Sequence, residues 1–369
     1  MTQHSLTTRL GEYISLVLPA AHGHQQKAIC DFVLALMMVQ SCCQAGLARF
    51  FDNFEAASKR LSRLIHNARL ETEELALSHA RALVARLPAE GGVRLALDWT
   101  IEERQHLLVA SLSVGRRGVP LYWRAYRDVD LKARMSVYER EFVRALFADV
   151  LSGVPRRRFI LTADRWFADV DLFDLLNELG VSYVIRTKSN YKVRVEDRWR
   201  RLDALQWRTN QRRRTWGRVW YAEGDPRHLF LVQARARDKQ GRWGIWHLLS
   251  NRNLSAVSMT NEYARRFTCE EGFRDAKRLL GFAEARISCL AAWVRMFTLV
   301  AIALAVLTNI GSALQAHARC DGWLRRVRSR RRTRSELSLV RSAIELLTHD
   351  ENLWPLLDHH SKLNLEASL

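Results

Sequence analysis

Three acidic residues stand where carboxylates can bind a hard divalent cation. Asp98 follows the apolar run VRLAL, and Asp164 follows FILTA. Glu270 sits in a Y-x-x-R-x-x-x-E-x-x-x-x-x-x-K spacing formed with Tyr263, Arg266 and Lys277. At roughly 100° per residue these four fall within an arc of about 60° on one helix face, while Glu271 and Glu262 turn away from it. An aromatic hydroxyl, two cations and one carboxylate do not make a core stripe. Taken singly, each Asp is better explained as a turn former or a helix N-cap, Asp164 especially because a helix follows it. Taken together with the signature spacing, the three mark a candidate functional site.

The surrounding elements place these groups. VRLALDWT (93–100), HLLVASLSV and VPLYWRAYR read as a three-stranded antiparallel meander, beginning after the Pro88 to Gly92 breaker. An amphipathic helix around SVYEREFVRALFADVL comes next, then the strand FILTA, a helix FADVDLFDLLNEL closed by Gly180, and the strand VSYVIR. Strand, helix and strand in that order predict a parallel unit, so Asp98 and Asp164 both leave strand ends of one sheet. Helical periodicity resumes around the Tyr263 to Lys277 segment. The expected fold is α/β, an RNase H-like mixed sheet flanked by helices.

Outside this core, residues 1–88 are helical by spacing and read as an N-terminal DNA-binding domain. Residues 191–250 lose the helical signal and read as a β-rich insertion between the two parts of the core, 89–190 and 251–318. Residues 319–369 read as a basic helical C-terminal region, in which the ten residues 325–334 include seven arginines. That tract is equally a solvated, self-repelling tail or a DNA contact.

Composition narrows the partner. Lys and Arg number 58 against 39 Asp and Glu, a net charge of +19 that favours a polyanion. Cys30, Cys42, Cys43, Cys269, Cys289 and Cys320 form no C-x-x-C pair and suit neither a zinc site nor a disulfide framework. The run MFTLVAIALAVLTNI (296–310) falls short of the roughly 18 to 20 residues that span a bilayer, so a buried core helix is expected, with Arg295 at one end. The first residues carry no basic segment followed by an apolar one, and the expected location is cytoplasmic.

LALDWT around Asp98, LTADRWFAD around Asp164, YVIRTK (183–188) and NEYARRFTCEEGFRDAK (261–277) together resemble bacterial insertion-sequence DDE transposases with the YREK signature. The likeness covers about 190 residues, from the first strand through the signature helix. It implies a retroviral-integrase-like core interrupted by a β-rich insertion, and a Mg²⁺-dependent enzyme acting on DNA at terminal inverted repeats and at target DNA. By the same resemblance Asp98, Asp164 and Glu270 hold two Mg²⁺ ions, with Asp98 bridging them and Mn²⁺ an acceptable substitute. Tyr263, Arg266 and Lys277 bind DNA near the cut, Arg186 and Lys188 contact the end sequence, and Trp246 stacks on a flipped base. Cut-and-paste transfer by a DNA-bound homodimer, near the bacterial nucleoid, is the implied activity. An RNase H-like nuclease and a transposase-derived DNA-binding regulator are the alternatives. Plain solvent exposure for Arg186 and Lys188, and core packing for Trp246, are the competing explanations of those residues.

Overall fold

A computed structural model describes residues 3–207, 210–237, 241–316 and 337–349. β1 (Val93–Glu102), β2 (Gln105–Val114) and β3 (Arg117–Arg127) form the antiparallel meander expected from the sequence. α6 (Asp128–Leu131) and α7 (Met135–Ala145) lead to β4 (Phe159–Ala163), which lies parallel to β1. α8 (Val170–Glu178) crosses to β5 (Ser182–Thr187), parallel to β4. Strands flanked by helices must be apolar almost throughout, which is why β1 and β4 read as runs and not as alternations. Gly180 ends α8 at φ +68°, the left-handed position a side chain disfavours, and the backbone N–H of Val181 closes the turn on the Leu176 carbonyl at 2.9 Å.

The strands that follow do not fold away from this sheet. β6 (Lys192–Val195), β7 (Arg198–Arg201), β8 (Arg213–Tyr221), β9 (Arg227–Arg237) and β10 (Trp243–Ser250) extend it, because β10 pairs antiparallel with β5. The result is one ten-stranded mixed sheet in the order β3-β2-β1-β4-β5-β10-β9-β8-β6-β7, an RNase H-like arrangement flanked by helices.

The N-terminal helices α1 (Gln3–Val17), α2 (Gly23–Val39), α3 (Gln44–Ala48), α4 (Phe54–Ile65) and α5 (Thr72–Val84) share one continuous hydrophobic cluster with the sheet. Later in the chain come α9 (Ala256–Arg265), α10 (Phe267–Arg274), α11 (Leu290–Ala316) and α12 (Leu339–His349). α11 is the hub of the cluster and packs on α2, α4, α5, α12 and β3. At 27 residues it is longer than the apolar run read from the sequence, and by length and hydropathy it could cross a membrane. Its most apolar stretch is 89% buried inside the molecule, so it serves as a core helix. Arg295 is buried in it and donates to the carbonyls of Leu70 at 2.7 Å and Ile65 at 3.0 Å, satisfying groups left over where α4 ends. The arginine-rich tract 325–334 lies outside the described residues.

Candidate active site

The parallel pairing of β1 with β4 ends at Leu97 and Ala163, and the next residue on each strand is a catalytic candidate. Asp98 and Asp164 therefore stand side by side where the β1–β4 pairing stops, but only Asp164 follows the end of its strand: β1 runs on to Glu102 beside β2, so Asp98 lies within its strand and not at its end as the sequence suggested. Asp98 is fixed from its own backbone: one oxygen accepts the N–H of Trp99 at 3.0 Å. Asp164 accepts the N–H of Trp166 at 2.8 Å and so shapes a tight turn. It is not the cap of the following helix, a role taken by Asp169, which accepts from the N–H of Asp171 at 3.2 Å.

Glu270 arrives from the other side, in the first turn of α10. α10 is pressed onto the meander at two glycines: a methyl on Gly272 would lie 2.1 Å from the carbonyl oxygen of Gly118 in β3. Only with hydrogen at both positions can the helix backbone come this close to the strand. The reciprocal methyl on Gly118 would meet the backbone of Cys269 at 2.7 Å.

Arg266 joins the two halves. Its guanidinium donates to Asp98 Oδ2 at 3.0 Å and to Glu270 Oε1 at 2.5 Å. Its side chain is only 7% exposed, and the ring of Phe267 lies 4.9 Å away. Burial opposes the charge of Arg266, but Tyr263 and the two carboxylates outweigh it and raise the proton affinity. Asp98 is pushed up to about 7, chiefly by burial, with Arg266 pulling it down and the negative charges of Asp164 and Glu270 pushing it up. Asp98 thus feels the charges of both other acids.

The signature segment departs from the single helix its spacing suggests. The hydroxyl of Thr268 takes the Arg265 carbonyl at 2.7 Å, and the N–H of Cys269 bonds to the Arg266 carbonyl at 2.9 Å, so the backbone tightens between α9 and α10. Residues Asp275–Leu279 then widen into a π turn. Arg266 links Asp98 to Glu270, and Tyr263 stays beside it, its ring 5.6 Å from the guanidinium, while being 1% exposed in a cluster with Val184, Val232, Leu248 and Met259. Lys277 reaches the far end of β1, 3.0 Å from the Ile101 carbonyl and 2.6 Å from Glu102. The neighbouring acids are engaged elsewhere: Glu271 with Arg117 at 3.1 Å and with Arg274, and Glu262 with Arg94 at 2.8 Å.

Trp246, on β10, stands edge-on to Tyr263 at 4.9 Å and tilted toward Phe267 at 5.7 Å. Arg186, on β5, is half-buried, and its positive charge acts on Tyr263 and His247. Lys188 lies over the ring of Trp166 at 4.0 Å, at the mouth of the Asp164 turn.

Two residues of this region escape the motif reading. Trp166 is 63% exposed beside Asp164 and is conspicuous only in three dimensions. Glu139 is 3% exposed behind the site and accepts the indole N–H of Trp99 at 2.7 Å. Burial and the negative charges of Asp169 and Asp164 push Glu139 up to about 7, the Trp99 hydrogen bond partly offsetting them. Helical phase could have found it, since Glu139 shares the stripe of Phe142, Val143 and Leu146.

Residues 130–306 match the family model described as the transposase DDE domain. The match supports a DDE transposase. Its span includes Asp164 and Glu270 and begins after Asp98. A DDE transposase domain implies an enzyme that cleaves and transfers DNA strands. No curated protein matches the chain.

Such a domain generally uses divalent ions. The donor set fits a hard cation, because all three acids offer carboxylate oxygens and Asp98 feels the negative charge of the other two. As the side chains stand, the described residues contain no group of three or more His, Cys, Asp or Glu gathered at metal-holding distance. Arg266 supplies the positive charge between Asp98 and Glu270.

Proposed function

We propose that this protein is a DDE transposase of the YREK group, which cuts DNA at the ends of an insertion sequence and joins the freed ends to target DNA. The observation that carries the reading is the Arg266 bridge between Asp98 of β1 and Glu270 of α10, with Asp164, next to Asp98, following the last β4 residue paired to β1. Bound at these carboxylates, two Mg²⁺ ions would activate the attacking oxygen and neutralise charge on the phosphate.

The chain's own groups have definable tasks. Asp98, Asp164 and Glu270 would hold the ions. Arg266, released from one carboxylate, is placed to turn its planar donor fork to a DNA phosphate, a geometry that guanidinium matches well. Lys277 at the end of β1 and Lys188 beside Trp166 mark two sides of a DNA path, and Arg186 lies inside it. Tyr263 acts from beneath, supporting Trp246, which stacks on a base if the reaction passes through a hairpin. In-line displacement by water and then by the freed 3′-OH needs no covalent enzyme intermediate.

The helices within 1–88 read the element end in this proposal, and the active assembly is a homodimer on DNA. Because those helices share the main core, their role is tested without truncation, by changing the exposed Lys59 and Arg63 of α4 to Glu and measuring selectivity for end-containing DNA.

The deciding experiment incubates the protein with Mg²⁺ or Mn²⁺, labelled element ends and target plasmid. Joined product is expected. Nicks alone would replace the reading with an RNase H-like nuclease, and binding alone with a DNA-binding regulator.

A further inference from the structure

Among the described residues, no aromatic side chain is more exposed than Trp166, at 63%. Its neighbours in sequence hold it there. Asp164 accepts the Trp166 N–H at 2.8 Å, and the Phe167 N–H returns to the Asp164 carbonyl at 3.2 Å, so residues 164–167 form one closed turn. Phe167 then drops into the core at 1% exposure, and Asp169, the cap of α8, is tied to Arg140 at 2.9 Å. The indole thus stands on a turn braced at both ends. A ring fixed in advance loses little freedom when it meets a partner.

Its place in the sheet matters as much as its exposure. β4 and β5 are parallel neighbours whose register ends at Ala163 and Ile185. Trp166 and Lys188 each lie three residues beyond that last pair, and the Lys188 ammonium stands 4.0 Å from the ring centre. A fixed ring, a cation over it and the Asp164 carboxylate two residues away therefore all lie past the ends of two adjacent strands. At an exposed position the contact of a lysine with a ring is weak, and it does not account for an indole held in solvent. A ring and a cation side by side do match a nucleotide, whose base offers a flat face and whose phosphate offers negative charge. A duplex hides its base faces except at an end, where the last pair shows one.

We propose that Trp166 caps the last base pair of a cleaved element end, with Lys188 on the adjoining phosphate. The inference rests on the transposase reading and adds to it a residue that tells cut DNA from uncut. Before cleavage, flanking DNA continues the base stack and leaves the indole no face to cover. Once both strands are cut, that face is free beside Asp164, and stacking on it holds the new 3′ end near the acids. Trp166 thereby favours the product of cleavage, which is the substrate of joining.

The test uses the full chain in EDTA, so that no strand is cut, and element-end duplexes carrying 2-aminopurine as a fluorescent base. In one duplex this base lies in the terminal pair of a cut end, and in the other the same pair is followed by flanking DNA. The parent is expected to quench the terminal base and leave the flanked one unchanged. Trp166→Ala should lose the quench and bind the cut end about tenfold more weakly, with uncut DNA bound within about twofold of the parent. Trp166→Phe should recover part of both. Lys188→Gln should keep the quench at saturation and lower the salt dependence of binding by about one phosphate contact. Trp220→Ala, which removes an exposed indole from β8, four strands away from β4 in the sheet, should behave as the parent. Melting temperature and self-association without DNA should be unchanged in Trp166→Ala, because the side chain lies outside the core. A quench that survives Trp166→Ala, equal weakening on cut and uncut DNA, the same loss in Trp220→Ala, or a loss of self-association with normal end binding would overturn the proposal. Its failure is distinct from that of the enzymatic reading. Normal joining by the parent with a quench independent of Trp166 sinks the cap alone, while a quench that needs Trp166 in a protein that never joins ends sinks the transposase alone.

Discussion

Gly272 of α10 and Gly118 of β3 touch backbone to backbone, close enough that a methyl on the first would stand 2.1 Å from the carbonyl oxygen of the second. Glu270 lies two residues from this contact and meets Arg266 and, through it, Asp98. Gly272→Ala must push α10 off the sheet. The expected cost is roughly 1 to 3 kcal/mol of stability, the range for overpacking, with a loss of strand cleavage greater than the stability change explains. Thermal melting and end cleavage measured on the same preparation check this. A variant that melts and cleaves like the parent would show that α10 is not held by this seat.

Adjacent carboxylates give a sharper contrast. Glu270→Gln removes a candidate ligand charge at nearly constant shape and should abolish cleavage while leaving DNA binding intact. Glu271→Gln loosens contacts to Arg117 and Arg274 on the other side of the helix, so cleavage should survive with stability lower by at most about 1 kcal/mol. Gel-shift and cleavage assays on both variants distinguish the two, and equal loss of cleavage would exclude Glu270 as the distinctive acid.

Arg266 is the counter-charge for two half-buried acids. Arg266→Gln leaves Asp98 and Glu270 without it, and removing one partner of a buried charge pair costs about 3 to 5 kcal/mol. If the acids receive a cation, millimolar Mg²⁺ should raise the melting temperature of Arg266→Gln by more than it raises that of the parent. Equal shifts in both would mean that Arg266 and the ion do not share the same carboxylates.

The strands carrying Asp98 and Asp164 were legible because buried parallel strands are written as uninterrupted apolar runs, and an acid at the end of such a run stands out. The helix carrying Glu270 was legible from spacing, but its break at Arg266 and its π turn were not. They depend on the Thr268 hydroxyl taking a backbone carbonyl and on a bond of the Leu280 N–H to the Asp275 carbonyl, neither of which shows in hydrophobic period. The burial of Tyr263 was hidden for the same reason. Glu139 was missed because an acid in an apolar stripe looks like an error of phase until Trp99 is seen to donate to it. The Gly118 and Gly272 contact joins positions 154 residues apart, beyond any local reading.

Acid sensitivity should come from the seam between α5 and β3. His79 is fully buried there, bonded through Nε2 to the Pro120 carbonyl at 3.0 Å, and burial lowers it from 6.5 to about 4. The unfolded chain takes up a proton near its ordinary value while the folded chain refuses it. The His79 contribution to stability is therefore complete above pH 6.5 and is lost progressively as the pH falls toward 4, by up to roughly 3 kcal/mol at about 1.4 kcal/mol per unit. His247, lowered to about 4 mainly by burial, adds to the same limb. Urea denaturation at pH 7.5 and pH 5 should show the parent losing stability relative to His79→Gln as the pH falls. A variant whose stability changes with pH as steeply as the parent would place the sensitivity elsewhere.

Trp246 must choose between two partners. In the structure it packs against Tyr263 and Phe267, and stacking on a flipped base means leaving part of that contact. Truncation to Ala would mix both losses, since removing a packed indole costs about 3 to 5 kcal/mol on its own. Trp246→Phe keeps an apolar ring against Tyr263 but offers a smaller surface to a base. If Trp246 stacks on DNA during hairpin formation, Trp246→Phe should melt within a few degrees of the parent, nick the first strand normally, and slow second-strand cleavage about tenfold, with most of the rate returning on ends whose base is already unpaired. Time courses on paired and mismatched ends provide the measurement. Equal slowing on both substrates would leave Trp246 as packing for Tyr263 and nothing more.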